Sequence, residues 1–131
     1  VADTASKFPT AEDVTADWVY VRLHGSRKLY VSGYSPREIE AWAAKFRAWQ
    51  AGGEPPGANR IDGKAKPAGK GRDIYAFFDN TDVKLRAPVD ARRMAKALGV
   101  GPTTTVPHVL KELGANSKAT RRANRASKAR D

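Results

Sequence analysis

Arg22 and His24, two residues apart and followed by Gly25, are the side chains of this chain best placed for chemistry. They close the stretch Trp18-Val19-Tyr20-Val21-Arg22-Leu23-His24-Gly25. A strand sends alternate side chains to opposite faces. Val19, Val21 and Leu23 therefore share an apolar face, while Trp18, Tyr20, Arg22 and His24 share the other. That second face turns polar toward its carboxyl end. A guanidinium offers a planar fork for a carboxylate or phosphate. An imidazole moves a proton near neutral pH or ligates a metal. In α/β proteins ligands gather at the carboxyl ends of strands, which is where this pair falls. An antiparallel surface strand with one wet face alternates in the same way.

The elements that must carry such a pair can be read in order. Val1-Ala2-Asp3-Thr4 reads as the last turn of a strand whose beginning is missing, which predicts a fragment, a processed product or a truncated gene. A loop through Phe8-Pro9 and Glu12-Asp13 leads to a strand over about 17–24. Ser35, Pro36 and Glu38 then predict a capped helix start, with Ser35 and Glu38 as a capping box. Ile39, Trp42, Ala43, Phe46 and Trp49 recur at helical spacing and predict packing onto a sheet. Residues 52–72, rich in glycine, proline and lysine, are expected to form a flexible surface loop. Gly63-Lys64 is followed by Ala65, so no phosphate-binding loop is present.

Asp73-Ile74-Tyr75-Ala76-Phe77-Phe78 predicts a second strand, apolar enough to be buried on both faces. A helix over about 88–98 follows, with Ala91, Met94, Ala95 and Leu98 as its stripe and Gly99 as its stop. Pro107, Val109, Leu110 and Leu113 mark a short helical turn, in which His108 has no partner in sequence. Strands alternating with helices imply parallel connections. Two helices barely cover both sides of the resulting sheet, so it reads as part of a larger one.

With 131 residues, the chain holds one domain with a single core. Lacking cysteine, it can form no disulfide or thiolate site. With a mean hydropathy of −0.60 and no apolar run of membrane-spanning length, it is expected to be cytoplasmic and without a membrane partner. Net charge is +10. From Gly101 onward seven basic residues stand against Glu112 and Asp131, which is half of that excess. Such a tail attracts nucleic acid weakly and non-specifically, or is a solubilising disordered end. It has no aromatic residue to stack a base.

Three segments together carry a resemblance: Ala2-Asp3-Thr4 with Phe8-Pro9, Tyr20-Val21-Arg22-Leu23-His24-Gly25, and Ile74-Tyr75-Ala76-Phe77-Phe78-Asp79-Asn80. With the helix start Tyr34-Ser35-Pro36-Arg37-Glu38-Ile39-Glu40-Ala41-Trp42-Ala43 between the last two, this order resembles the YecE-like family, number seventy-two among domains of unknown function. The likeness runs from about Val1 to Gly99 and covers the carboxyl-terminal portion of the family's domain. It implies a TIM-barrel-like fold, in which these are the last strands. The chain is then a set of partial βα units over 1–100, followed over 101–131 by a short helix and a disordered or helical basic tail. A whole barrel takes roughly 250 residues. A severed one exposes a strand edge that invites self-association.

The resemblance also locates a rim at the strand ends. It brings Asp3, Arg22, His24 and Asp79 there as catalytic candidates, and Arg22, Gly25 and Asn80 as substrate contacts. Asp3 and Asp79 could act as bases, orient His24 or hold a cation, and Asn80 could place a substrate oxygen. The chemistry implied for the full-length fold is hydrolysis or isomerisation of an anionic small molecule. No cofactor and no metal set is assigned. The same residues admit a quieter reading, in which Arg22 pairs internally with Asp3 or Asp79 and Asp79-Asn80 is turn chemistry. The rival functions are a nucleic-acid-associated module working through the basic loop and tail, and a truncated remnant without function.

Overall fold

The computed structural model describes residues 1–61, 69–81 and 85–101, of which Val1–Val100 form one unit. The tail, the short helical turn near Pro107 and the middle of the glycine-rich segment lie outside the described residues. The elements run β1 (Ala2–Asp3), β2 (Trp18–Leu23), α1 (Pro36–Gln50), β3 (Asp73–Phe78) and α2 (Arg86–Leu98). The three strands lie side by side in that order, and both pairs are parallel. The chain is therefore α/β, built from consecutive βα units, as its strand–helix alternation predicts.

The apolar half of β2 decides how the sheet is covered. Val19, Val21 and Leu23 are buried together with Ile39, Ala43, Phe46 and Trp49 of α1. Burying each large side chain of this group contributes about 1.5–3 kcal/mol. Ser35 caps α1 as its sequence predicts: its hydroxyl accepts the Glu38 N–H, and the Glu38 carboxylate accepts the Ser35 N–H. Arg47, in the last turn of α1, donates to the Ala97 carbonyl at 2.7 Å and ties the two helices together.

Three expectations need correction. The strand β3 is not buried on both faces: Ile74, Ala76 and Phe78 pack toward the core, whereas Tyr75 and Phe77 are exposed. Its unbroken apolar run thus hides an alternation between a helix-covered face and an uncovered one. The helix α2 begins two residues before Pro88, at Arg86. A proline at the third helical position is tolerated because the first four N–H groups have no helical acceptor. Its buried stripe is Ala87, Asp90 and Met94, and Ala91 is exposed.

The connection from α1 to β3 is pinched at its base. Gly69 N–H donates to the Gly52 carbonyl at 3.0 Å, and Arg72 holds the Gly53 carbonyl at 2.9 Å. A Cβ on Gly52 would stand 2.0 Å from the Gly69 oxygen, and one on Gly71 2.6 Å from the Gln50 oxygen. Only glycine permits so close an approach.

Candidate functional site

Alternation and register together build the site. With Val21 and Leu23 turned into the core, Arg22 is forced onto the face away from the helices. Pairing of Leu23 with Phe78 sets His24 beside Asp79 at the carboxyl ends of β2 and β3. Backbone bonds continue the ladder past the strands: Asp79 N–H donates to the Leu23 carbonyl at 2.9 Å, and His24 N–H to the Asp3 carbonyl at 3.1 Å.

There the Asp79 carboxylate meets both side chains. Its Oδ2 accepts from Arg22 Nη2 and lies 2.7 Å from His24 Nδ1. The imidazole contact is electrostatic: close as it is, its angle does not make a directed hydrogen bond. Hydrogen bonding to Asp79, then to the Tyr20 hydroxyl, pushes the Arg22 guanidinium above its ordinary pKa, so it stays cationic. The side chains of Arg22 and Asp79 are 41% and 27% exposed, and that of His24 is 14% exposed. The His24 ring meets Tyr30 edge to face at 5.1 Å. The result is an imidazole oriented from one side, beside a solvent-accessible guanidinium. Such a pair can bind an anion and move a proton.

A buried polar network stands behind it. Gly25 N–H donates to the Tyr34 hydroxyl at 2.9 Å. At φ +109°, a Cβ on Gly25 would lie 2.8 Å from the Ser32 carbonyl oxygen, so the turn after His24 requires glycine. Tyr34 is buried, which pushes its phenol well above the usual range, with the Asp3 charge adding to the effect. Asp90, fully buried on α2, accepts from Tyr34 N–H at 3.1 Å and from Asn80 Nδ2 at 2.9 Å through one oxygen. Asn80 also donates to the Ser32 carbonyl at 3.0 Å. One carboxylate thereby braces the exits of β2 and β3 against each other.

Of the residues singled out by sequence, Arg22, His24 and Asp79 come together. Asp3 does not join them. Its register with Leu23 puts it on the helix-facing side, where its Oδ1 accepts the Ala5 N–H at 3.2 Å. It lines there an open cleft of about 740 Å³ with Tyr34, Glu38, Trp42 and Lys45. The Gly25 N–H and the Asn80 amide donors are engaged in the brace. Tyr34 and Asp90 were not anticipated in this role. For Asp90 a signal existed, since it falls three after Ala87 and four before Met94, a carboxylate inside an apolar stripe. Among the described residues no group of three or more His, Asp or Glu side chains could hold a metal ion, and no helix is long and apolar enough to cross a membrane.

Among known families, the profile described as protein of unknown function DUF72 fits residues 1–113. This chain is a DUF72 protein. No curated protein and no solved structure matches it. The DUF72 match spans all five elements and reaches Leu113, past Gly99, where the resemblance of the sequence blocks was expected to stop. Arg22, His24 and Asp79 all lie within the DUF72 segment, whose description carries no activity.

Proposed function

We propose that the carboxyl end of the sheet binds an anionic small molecule, with Arg22 receiving the anion and His24 exchanging a proton with it. The observation that carries this reading is the single Asp79 oxygen shared by the guanidinium and the imidazole on the uncovered face. With the Asp79 carboxylate 2.7 Å from Nδ1, Nε2 is the nitrogen left to exchange a proton with the anion. Arg22 still has donors beyond the one given to Asp79, because a guanidinium carries five. The reaction class is one that transfers a proton, hydrolysis or isomerisation, at the end of a barrel-type wall. Parallel neighbours in sequential order with both helices packed on one side support that barrel reading.

The test is a heteronuclear NMR titration of the full chain with inorganic phosphate and with acetate. Saturable shifts at the His24 and Gly25 amides are expected, and Arg22→Ala should remove them. Shifts that are absent, or that persist unchanged in Arg22→Ala, would sink the proposal.

A further inference from the structure

Tyr30 holds a backbone conformation that tyrosine seldom takes. Its φ is +62°, in the left-handed region that favours glycine. The residue is third in the turn Lys28–Val31, which the Val31 N–H closes on the Lys28 carbonyl at 3.1 Å. With positive φ, that position ordinarily selects glycine or asparagine. The turn is fastened from several sides. Ser32 N–H also donates to the Lys28 carbonyl, at 3.0 Å. The Ser32 hydroxyl accepts the Arg27 and Lys28 N–H groups, each at 2.9 Å. Tyr30 N–H itself donates to the His24 carbonyl.

This strained backbone places one ring. Tyr30 meets the His24 imidazole edge to face at 5.1 Å, yet 48% of the residue stays exposed. Burial does not account for the placement, since half the residue remains in solvent. Among the described residues its hydroxyl has no hydrogen-bond partner. Strained residues held by their surroundings cluster where ligands are bound. The turn follows the carboxyl end of β2, where the loops of α/β folds meet their ligands. It belongs to the connection from β2 to α1 rather than to the sheet, so its place at the rim does not depend on which strands flank β1 and β3.

Three donor groups then share the site: the free N–H groups of Arg22, His24 Nε2 when protonated, and the Tyr30 hydroxyl. A guanidinium fork alone fills the two oxygens of a carboxylate. Three donor groups suit a phosphoryl group, which offers three acceptor oxygens. Arg27 and Lys28, both exposed on the same turn, add positive charge beside it.

We propose that Tyr30 is a ligand-contacting residue of the anion site, its hydroxyl donating to the bound oxyanion, and that the site thereby prefers a phosphoryl group to a carboxylate. The inference rests on the anion site of Arg22 and His24 and names its ligand class.

The full chain, Tyr30→Phe and Tyr30→Gly are each titrated with inorganic phosphate and with acetate at about pH 6, where each ion carries about one charge. Amide shifts at His24 and Gly25 give the dissociation constants. The parent should bind phosphate roughly tenfold tighter than acetate, the worth of one added hydrogen bond to a charged group. Tyr30→Phe keeps the ring and the turn, and should erase that preference. Tyr30→Gly suits the positive φ, so the turn persists without the ring, and the preference should vanish there too. If acetate binds the parent as tightly as phosphate, or if either variant keeps the preference, the role of Tyr30 is overturned while the anion site stands. If neither ion binds the parent, the anion site falls and the role of Tyr30 with it.

Discussion

Replacing Asp90 by alanine is expected to damage the site from a distance. Asp90 touches neither Arg22 nor His24, yet its carboxylate holds the Tyr34 backbone and the Asn80 side chain, which in turn fix Gly25 and the residue after Asp79. Asp90→Ala strands two buried N–H groups, that of Tyr34 and the one of Asn80 Nδ2 not held by the Ser32 carbonyl. Each costs about 1–3 kcal/mol when left without an acceptor. The Arg93 contact at 3.3 Å adds little, because that side chain is half exposed. The expected loss is about 3–5 kcal/mol, as for breaking other buried charged networks, a large share of the stability of a domain this size. Urea denaturation followed by circular dichroism measures it, and the melting temperature should fall by about 12 °C or more. Asp90→Asn keeps an oxygen where both donors converge and should cost only about 1 kcal/mol. The reasoning is refuted if the two variants lose equal stability, or if alanine costs less than about 1 kcal/mol.

Four further outcomes are expected. Gly25→Ala forces a Cβ against the Ser32 and Lys28 carbonyls at positive φ, and should cost about 1–3 kcal/mol by thermal denaturation. Tyr34 has its phenol pKa raised by burial. The fold favours its protonated form, so that stabilisation is complete below the unfolded value of about 10 and is lost as pH rises above it. Urea midpoints should therefore drop above that pH in the parent and stay flatter in Tyr34→Phe, which is weaker throughout by about 1–3 kcal/mol because Gly25 N–H loses its acceptor. Glu38 has its pKa lowered, chiefly by the Ser35 backbone N–H. Its stabilisation is complete above about 4.3 and disappears as pH falls through the lower folded value, so Glu38→Ala should flatten the acid limb of a pH–stability curve. Ser35→Ala should cost about 1 kcal/mol at neutral pH.

Much of this was legible wherever a local rule acts alone. The Ser35–Glu38 box specifies its own hydrogen bonds, and the Val19, Val21, Leu23 alternation forces Arg22 outward whatever lies around it. Asp79 could be matched to His24 once the strands were taken as parallel neighbours. What stayed hidden depends on register and on contacts distant in sequence. A single residue of register puts Asp3 on the helix-facing side rather than with Arg22. The apolar run of β3 carries no mark telling its covered face from its bare one, because Tyr75 and Phe77 are as apolar as Ile74 and Phe78. Asp90 breaks the hydrophobic stripe of α2, and its reason is the pair of donors waiting on Tyr34 and Asn80, residues 56 and 10 positions away.

The clasp formed where Gly52 meets Gly69 fixes where β3 starts independently of how much chain lies beyond the clasp. Loop closure grows only slowly with length, by about 0.6 kcal/mol per doubling, and here the closure is made by backbone atoms at the root. The register of Tyr75 and Phe77 against β2 is therefore set at the clasp, where Gly69 N–H meets the Gly52 carbonyl and Arg72 the Gly53 carbonyl, and through it the strand ends at Arg22 and Asp79 keep their places.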